Sequence, residues 1–268
     1  MAMAVALTIA GSDSGGGAGL QADLKTFAAF GVYGTSAVTA ITAQNTLGVH
    51  GAMAVDPALV AAQIDAVATD LRPSATKIGM LATSAIIRTV AEALARHTLP
   101  HVVLDPVMVA KGGDRLLEPE AIATLREVLL PLATVVTPNV PEAEALTGLV
   151  IRSEDDQHRA AARLVAMGAR SAVVKGGHLD GAPTDVWTDG STVVVLTGTR
   201  IATRHTHGTG CTFAAAIAAG LARDSLIPDA VRNAKAFVTG AIAHAPALGG
   251  GHGPLNHFWQ REGPPRDD

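Results

Sequence analysis

The sequence predicts an α/β protein, built on a mostly parallel central sheet with helices on both faces and a small antiparallel hairpin. Two observations carry this prediction. Short β-branched or apolar runs recur between longer alanine-rich amphipathic stretches, and one segment near residue 190 replaces that alternation with two strand-like runs around a tight turn. In order, Val5–Ile9 reads as a strand, Leu20–Phe30 as a helix, and Ser36–Ile41 as a second strand. Pro57–Asp70 has helical length and spacing and leads into the strand Ala75–Ile78; Ser84–His97 is again helical and leads into Val102–Leu104. The helix Pro119–Leu129 precedes Thr134–Val136, and the helix Glu154–Met167 precedes Ala172–Val174. Thr184–Thr188 and Thr192–Leu196, around Asp189-Gly190, form the hairpin, which is placed at a sheet edge. Helices over Cys211–Ala222 and Asp229–His244 close the series.

The chain has 268 residues and no internal repeat, low-complexity linker or charge block. One domain over 1–261 is expected, with a loose tail over 262–268 that holds Pro-Pro and terminal acids. No apolar run approaches the roughly 18 residues of a membrane helix, and the apolar start has no preceding basic residue, so no membrane contact and a cytoplasmic location are expected. A net charge of −4 and 3% aromatics provide neither the basic footprint nor the stacking surfaces of a nucleic-acid binder. A single cysteine, Cys211, excludes an intrachain disulfide and any multi-cysteine zinc site.

The strongest local signal is His207-Gly-Thr-Gly-Cys211-Thr212 at the mouth of an alanine-rich helix. Gly208 and Gly210 let backbone approach a ligand, and the first helical turn presents amide hydrogens and the positive end of the helix dipole, which suits an anion. Cys211 at that turn is expected to have a lowered pKa. The alternative is a glycine turn with a buried cysteine. The first loop, Gly11-Ser-Asp-Ser-Gly-Gly-Gly-Ala-Gly19, could likewise cradle a ligand with amides, or could be a turn capped by Asp13; it fits neither the P-loop nor the dinucleotide fingerprint.

Asp105 and Glu142 follow strand ends, where ligands collect in open α/β sheets and where two carboxylates could hold Mg²⁺. Taken singly, Asp105 also reads as a turn residue before Pro106, and Glu142 as charge at a helix start after Pro141. Lys175, ahead of Gly176-Gly177, either meets a polyphosphate or snorkels from a strand end. His205, His207 and Cys211 fall short of a structural zinc set, and His50, His97 and His158 are scattered.

Together the segments resemble the hydroxymethylpyrimidine/phosphomethylpyrimidine kinases of thiamin biosynthesis, in the ribokinase superfamily. The resemblance rests on Thr8-Ile-Ala-Gly-Ser-Asp-Ser-Gly-Gly-Gly-Ala-Gly-Leu-Gln-Ala-Asp-Leu-Lys25, Thr42-Ala-Gln-Asn-Thr46, Lys77-Ile-Gly-Met80, Leu104-Asp-Pro-Val-Met108, Thr137-Pro-Asn-Val-Pro-Glu142, Lys175-Gly-Gly-His178 and Thr206–Thr212. It implies a ribokinase-like three-layer fold and ATP-dependent phosphorylation of the pyrimidine alcohol and then of its monophosphate. By the same resemblance Gln44 reads the aminopyrimidine edge while Ala18, Met80 and Val107 enclose the ring. Asp105 and Glu142 would organise Mg²⁺, with Lys175, Asn139 and Thr206 on the ATP side and Gly208, Gly210 and Cys211 forming the catalytic anion hole. A homodimer is also implied. Cys211 stands where many members of the superfamily carry a basic aspartate, and as thiolate it is expected to serve the alcohol more than the phosphate acceptor. Arg204-His205 stand where the pattern has Lys and Asn or Asp, the arginine keeping the charge. A fused synthase domain is not expected from the length. The rivals are a pyridoxal or pyridoxine kinase on the same scaffold, a thiol hydrolase or transferase pairing Cys211 with His207, and a silent pyrimidine-binding protein.

Overall fold

A computed structural model describes residues 3–109, 113 and 116–261. The expected tail at 262–268 lies outside them. Nine strands form one sheet in the order β3-β2-β1-β4-β5-β6-β7-β8-β9. Their spans are β1 Val5–Asp13, β2 Tyr33–Gln44, β3 Val49–Ala54, β4 Ala75–Ile78, β5 Val102–Leu104, β6 Val135–Val136, β7 Ala172–Lys175, β8 Thr184–Thr188 and β9 Val193–Thr197. The six from β2 to β7 run parallel; β3 pairs antiparallel at one edge, and the β8–β9 hairpin does so at the other.

Strand period explains the three layers. Leu7 and Ile9, Val102 and Leu104, Val136, and Ala172 and Val174 face one apolar core; Ala6, Val103, Val135 and Val173, one residue out of phase, face the other. Helices α2 Pro57–Asp70, α3 Ser84–His97, α4 Pro119–Thr124, α5 Val140–Thr147 and α6 Glu154–Ala166 supply the first core. The second is built from α1 Gly19–Ala29, α7 Thr209–Ala222 and α8 Ile227–Ala243. Every residue of α7 from Thr212 to Ala222 is buried, so it is apolar on all sides.

Local signals fix several boundaries. Asp56 accepts hydrogen bonds from the amides of Ala58 and Leu59 ahead of Pro57, Thr83 accepts from Ile86, and Ser153 accepts from Asp156. The expected helix Pro119–Leu129 is corrected in its second half: α4 widens at Leu125–Leu129 into a π-helical turn, then tightens to a 3₁₀ turn at Leu130–Leu132 around Pro131. β9 begins one residue later than expected, because the Asp189 carboxylate takes the amides of Ser191 and Thr192 and keeps Thr192 in the turn. Two elements escaped the pattern altogether. β3 is mostly exposed and has no alternation, and α5 was legible only as a helix start at Glu142.

At the exit of β7 a packing constraint generates a test. A methyl group on Gly176 would run into the carbonyl of Thr184 and lie 2.6 Å from Gln157 Nε2, whereas one on Gly177 meets nothing within 4 Å. Gln157 is buried and donates to the carbonyls of both Val174 and Thr184, so it cannot yield. Gly176→Ala is expected to destabilise the fold by about 1–3 kcal/mol and Gly177→Ala by under about 0.5 kcal/mol, read as urea midpoints at constant slope.

Candidate active site

The carboxyl ends of the parallel strands open onto a cavity of about 870 Å³. Its wall includes all twelve residues expected there: Ala18, Gln44, Met80, Asp105, Val107, Asn139, Glu142, Lys175, Thr206, Gly208, Gly210 and Cys211. Each has its position for a structural reason. Gln44 ends β2 and Lys175 ends β7, Asp105 follows β5, and Met80 lies two residues beyond β4. Asn139 caps α5, and Gly208, at φ 84°, caps α7.

The charged corner lies between β5, β7 and α5. Lys175 Nζ is 3.1 Å from Asp105 Oδ1, both side chains being largely buried. Asn139 and Glu142 form a reciprocal capping box: the Glu142 amide donates to Asn139 Oδ1 at 2.9 Å, and the Asn139 amide donates to Glu142 Oε2 at 2.8 Å. The helix-start reading of Glu142 therefore holds, and the same residue lines the cavity. Burial, with Asp105 adding to it, pushes its carboxyl up to about 7 against the pull of Lys175. The Lys175 ammonium is held above its ordinary range, because Asp105 and Glu142 outweigh its desolvation.

Along α7 the first helical bond runs from the Thr212 amide to Gly208 O, so the amides of Gly210 and Cys211 precede it and have no helical acceptor. A methyl group on Gly210 would lie 3.3 Å from Lys175 Nζ and 3.5 Å from Asp105 Oδ2, so the loop rides directly over the charged corner. Cys211 sits in this turn, and its expected low pKa is corrected. Desolvation drives the thiol up to about 11 and prevails over the Lys77 charge and the Gly19 amide, which both favour thiolate. Counting only the helix end omitted this larger effect. Burial therefore works against the expected thiolate base, and against its preference for the alcohol step, in the ligand-free protein. His207 does not pair with Cys211 either: its Nε2 lies 2.9 Å from Asp13 Oδ2 and 3.4 Å from Gln44 Nε2.

The first loop is a capped turn and not an amide cradle. Asp13 accepts from the amides of Gly15, Gly17 and Ala18, and Gly16 bonds the Asp13 carbonyl. Burial would raise the Asp13 carboxyl, but His207 and these amides together hold it below its ordinary value. Arg204 is exposed and is not part of the cavity wall, so the charge it was expected to keep there is not placed there; Arg200 lines the wall instead, with its guanidinium on the carbonyls of Gly177, Leu179 and Gly181.

Sequence reasoning assigned no role to Thr42 or Lys77, read Asp13 only as a turn cap, and gave His207 a part only in the thiol rival. Lys77 is the clearest omission. Fully buried in β4, it donates to Asp23 Oδ2 at 2.8 Å, with Thr8 donating to the same oxygen at 2.6 Å. Asp23 and Asp105 hold it in the charged form against its desolvation. A lysine inside an apolar strand, Ala75-Thr-Lys-Ile78, is the signal that could have found it.

Known proteins resemble this chain along nearly its whole length. The sequence profile of the family described as phosphomethylpyrimidine kinase matches residues 13–256. A Bacillus subtilis protein named hydroxymethylpyrimidine/phosphomethylpyrimidine kinase is 52% identical over 96% of both chains. A thiamine biosynthesis bifunctional protein of Geobacter sulfurreducens is 50% identical over 96% of this chain and 52% of its own length. Among solved structures, the ADP complex of Bacillus subtilis pyridoxal kinase superposes with a TM-score of 0.91 at 43% identity, covering 97% of this chain and 99% of the other.

Because Cys211 is the sole cysteine, alkylation reports on it alone. With the thiol near 11, iodoacetamide labelling of the ligand-free protein is expected to be slow at neutral pH and to be still rising at about pH 10. A rate that levels off below about pH 8 would show that the helix end prevails over burial.

Proposed function

The chain belongs to the phosphomethylpyrimidine kinase family, and from that premise we propose that it transfers the γ-phosphoryl group of ATP to 4-amino-5-hydroxymethyl-2-methylpyrimidine and then to the monophosphate, within thiamin biosynthesis. The observation that carries this reading is the convergence in one cavity of an aminopyrimidine reader, Gln44, with the cluster Asp105–Lys175–Glu142 and the helix mouth Gly208–Cys211. Gln44 presents donor and acceptor side by side, which matches an amino group next to a ring nitrogen, while Ala18, Met80 and Val107 form apolar walls.

Phosphoryl transfer asks for charge stabilisation and alignment more than for covalent help from the protein. Lys175 opposes charge on the nucleotide phosphates, and the amides of Gly210 and Cys211 face the oxygens of the moving group. Asn139 and Thr206 lie along the nucleotide side. Two buried carboxylates beside a single ammonium, one of them raised to about 7 by burial and by its neighbour, make a hard-oxygen corner that fits Mg²⁺. Asp105 and Glu142 would hold the cation. The cation would supply screening of the phosphate charge. Cys211 contributes its amide and the shape of the turn as a neutral thiol.

A pyridoxal kinase activity is the second reading, favoured by the close superposition on a structure of that name. No described helix is long and apolar enough to cross a membrane, which accords with the proposed cytoplasmic location. A homodimer is supported by the exposed cross-strand pair Ile41 and Met53 on the β2–β3 edge. A single domain accords with the one continuous sheet.

Product analysis with Mg-ATP against the hydroxymethylpyrimidine, its phosphate and pyridoxal tests the proposal. Phosphorylation of pyridoxal alone would overturn it. Gln44→Ala is expected to weaken pyrimidine affinity by about 1–3 kcal/mol with ATP affinity unchanged, as read by titration calorimetry. Lys175→Ala and Glu142→Gln are expected to lower kcat about 100-fold on every acceptor at saturating Mg-ATP; wild-type turnover in both would remove the phosphate site from this corner.

A further inference from the structure

The Gln44 carboxamide is held between Thr42 and His207, and hydrogen counting at the two ends fixes which way round it stands. Thr42 Oγ1 has one hydrogen, and it lies 2.8 Å from Ser12 O, a carbonyl that can only accept. That hydrogen is therefore committed to Ser12, and Oγ1 meets the amide 3.2 Å away as an acceptor. At the other end His207 Nε2 lies 2.9 Å from Asp13 Oδ2. The Asp13 carboxylate also only accepts, so Nε2 carries a hydrogen in either charge state of the ring, and it cannot accept from Gln44.

Thr42 thus calls for amide nitrogen, and the Nε2 hydrogen of His207, already given to Asp13, repels amide nitrogen at the other end and leaves the oxygen there. The placement with Oε1 at Thr42 and Nε2 3.4 Å from His207 Nε2 has the wrong sign twice, and half a turn about the terminal bond corrects both without moving any other atom. The two counts are independent, since one rests on a carbonyl of β1 and the other on a carboxylate. Asp13 is itself fixed by the amides of Gly15, Gly17 and Ala18, so His207 has a rigid partner.

We infer that Thr42 and the Asp13–His207 pair are positioning residues that lock the Gln44 carboxamide with its oxygen toward His207, and that this lock sets both the register of the ring and the choice of a 4-amino over a 4-oxo pyrimidine. The inference rests on Gln44 being the reader of the ring edge. An acceptor at the His207 end receives the 4-amino group, and the free hydrogen at the Thr42 end goes to ring N3. The hydroxymethyl group is on the carbon next to the one bearing the amino group. The same register therefore turns the reacting oxygen toward the segment that runs from His207 into Gly208–Cys211. A 4-oxo ring, with N3–H as donor and O4 as acceptor, requires the reverse amide, which meets two contacts of the wrong sign.

The test is the ratio of kcat/KM for the hydroxymethylpyrimidine to that for its 4-oxo analogue, both measured on one preparation so that the folded fraction cancels. Wild type is expected to favour the amino compound by about 100-fold or more. Thr42→Val and His207→Phe are each expected to lower that ratio about tenfold, with Thr42→Ser restoring it, because serine keeps the single hydroxyl hydrogen. Gln44→Ala is expected to bring it near one. If Gln44→Ala collapses the ratio while Thr42→Val and His207→Phe both leave it at the wild-type value, Gln44 is the reader and the lock does not exist. If Gln44→Ala leaves the ratio unchanged, the reader itself is wrong and the lock falls with it.

Discussion

Burial of α7 on every side is the constraint on which the rest depends. The helix is pressed between the sheet, α1 and α8, and its alanines allow these neighbours to come close. A helix so enclosed cannot slide or tilt without opening an apolar void, and voids in a close-packed core are costly. Its first turn, with the amides of Gly210 and Cys211, is therefore held over Asp105 and Lys175. Cys211, half-buried at the mouth of that helix, feels the same low-polarity surroundings, and burial pushes its thiol up.

Beneath that turn the charges are arranged by sign. Lys77 and Lys175 are each fixed by a carboxylate, Asp23 and Asp105 respectively, and burial raises the carboxyls of both Asp23 and Glu142. Such groups are expensive to bury singly and tolerable in alternation. Lys77 does not line up with the phosphate reading drawn from Lys175; it supports the floor of the cavity, anchored to Asp23 and Thr8 across β1, α1 and β4.

What the sequence disclosed follows the physics of its signals. β4, β5, α2 and α3 were legible to the residue because buried apolar runs and caps such as Asp56 and Thr83 are local. Six of the seven quoted site blocks lie at the ends of parallel strands, so their residues were bound to meet at one edge of the sheet; the seventh, Thr206–Thr212, opens α7. β3 was not legible, since Val49-His-Gly-Ala-Met-Ala54 owes its extension to hydrogen bonds with β2 and buries little. The Cys211 shift depends on atoms from distant strands, and the Asp13–His207 contact joins residues 194 apart. No local pattern announces either.

The capped first loop has an entropic consequence. Because the Asp13 carboxylate already gathers the amides of Gly15, Gly17 and Ala18, this run of glycines has lost its conformational freedom before any ligand arrives. Glycine chains lose more freedom on ordering than any other, about 1–2 kcal/mol per residue for the backbone alone. In this protein that loss belongs to folding and not to binding, so the contact energy of a small ring is not diminished by having to freeze the loop around it.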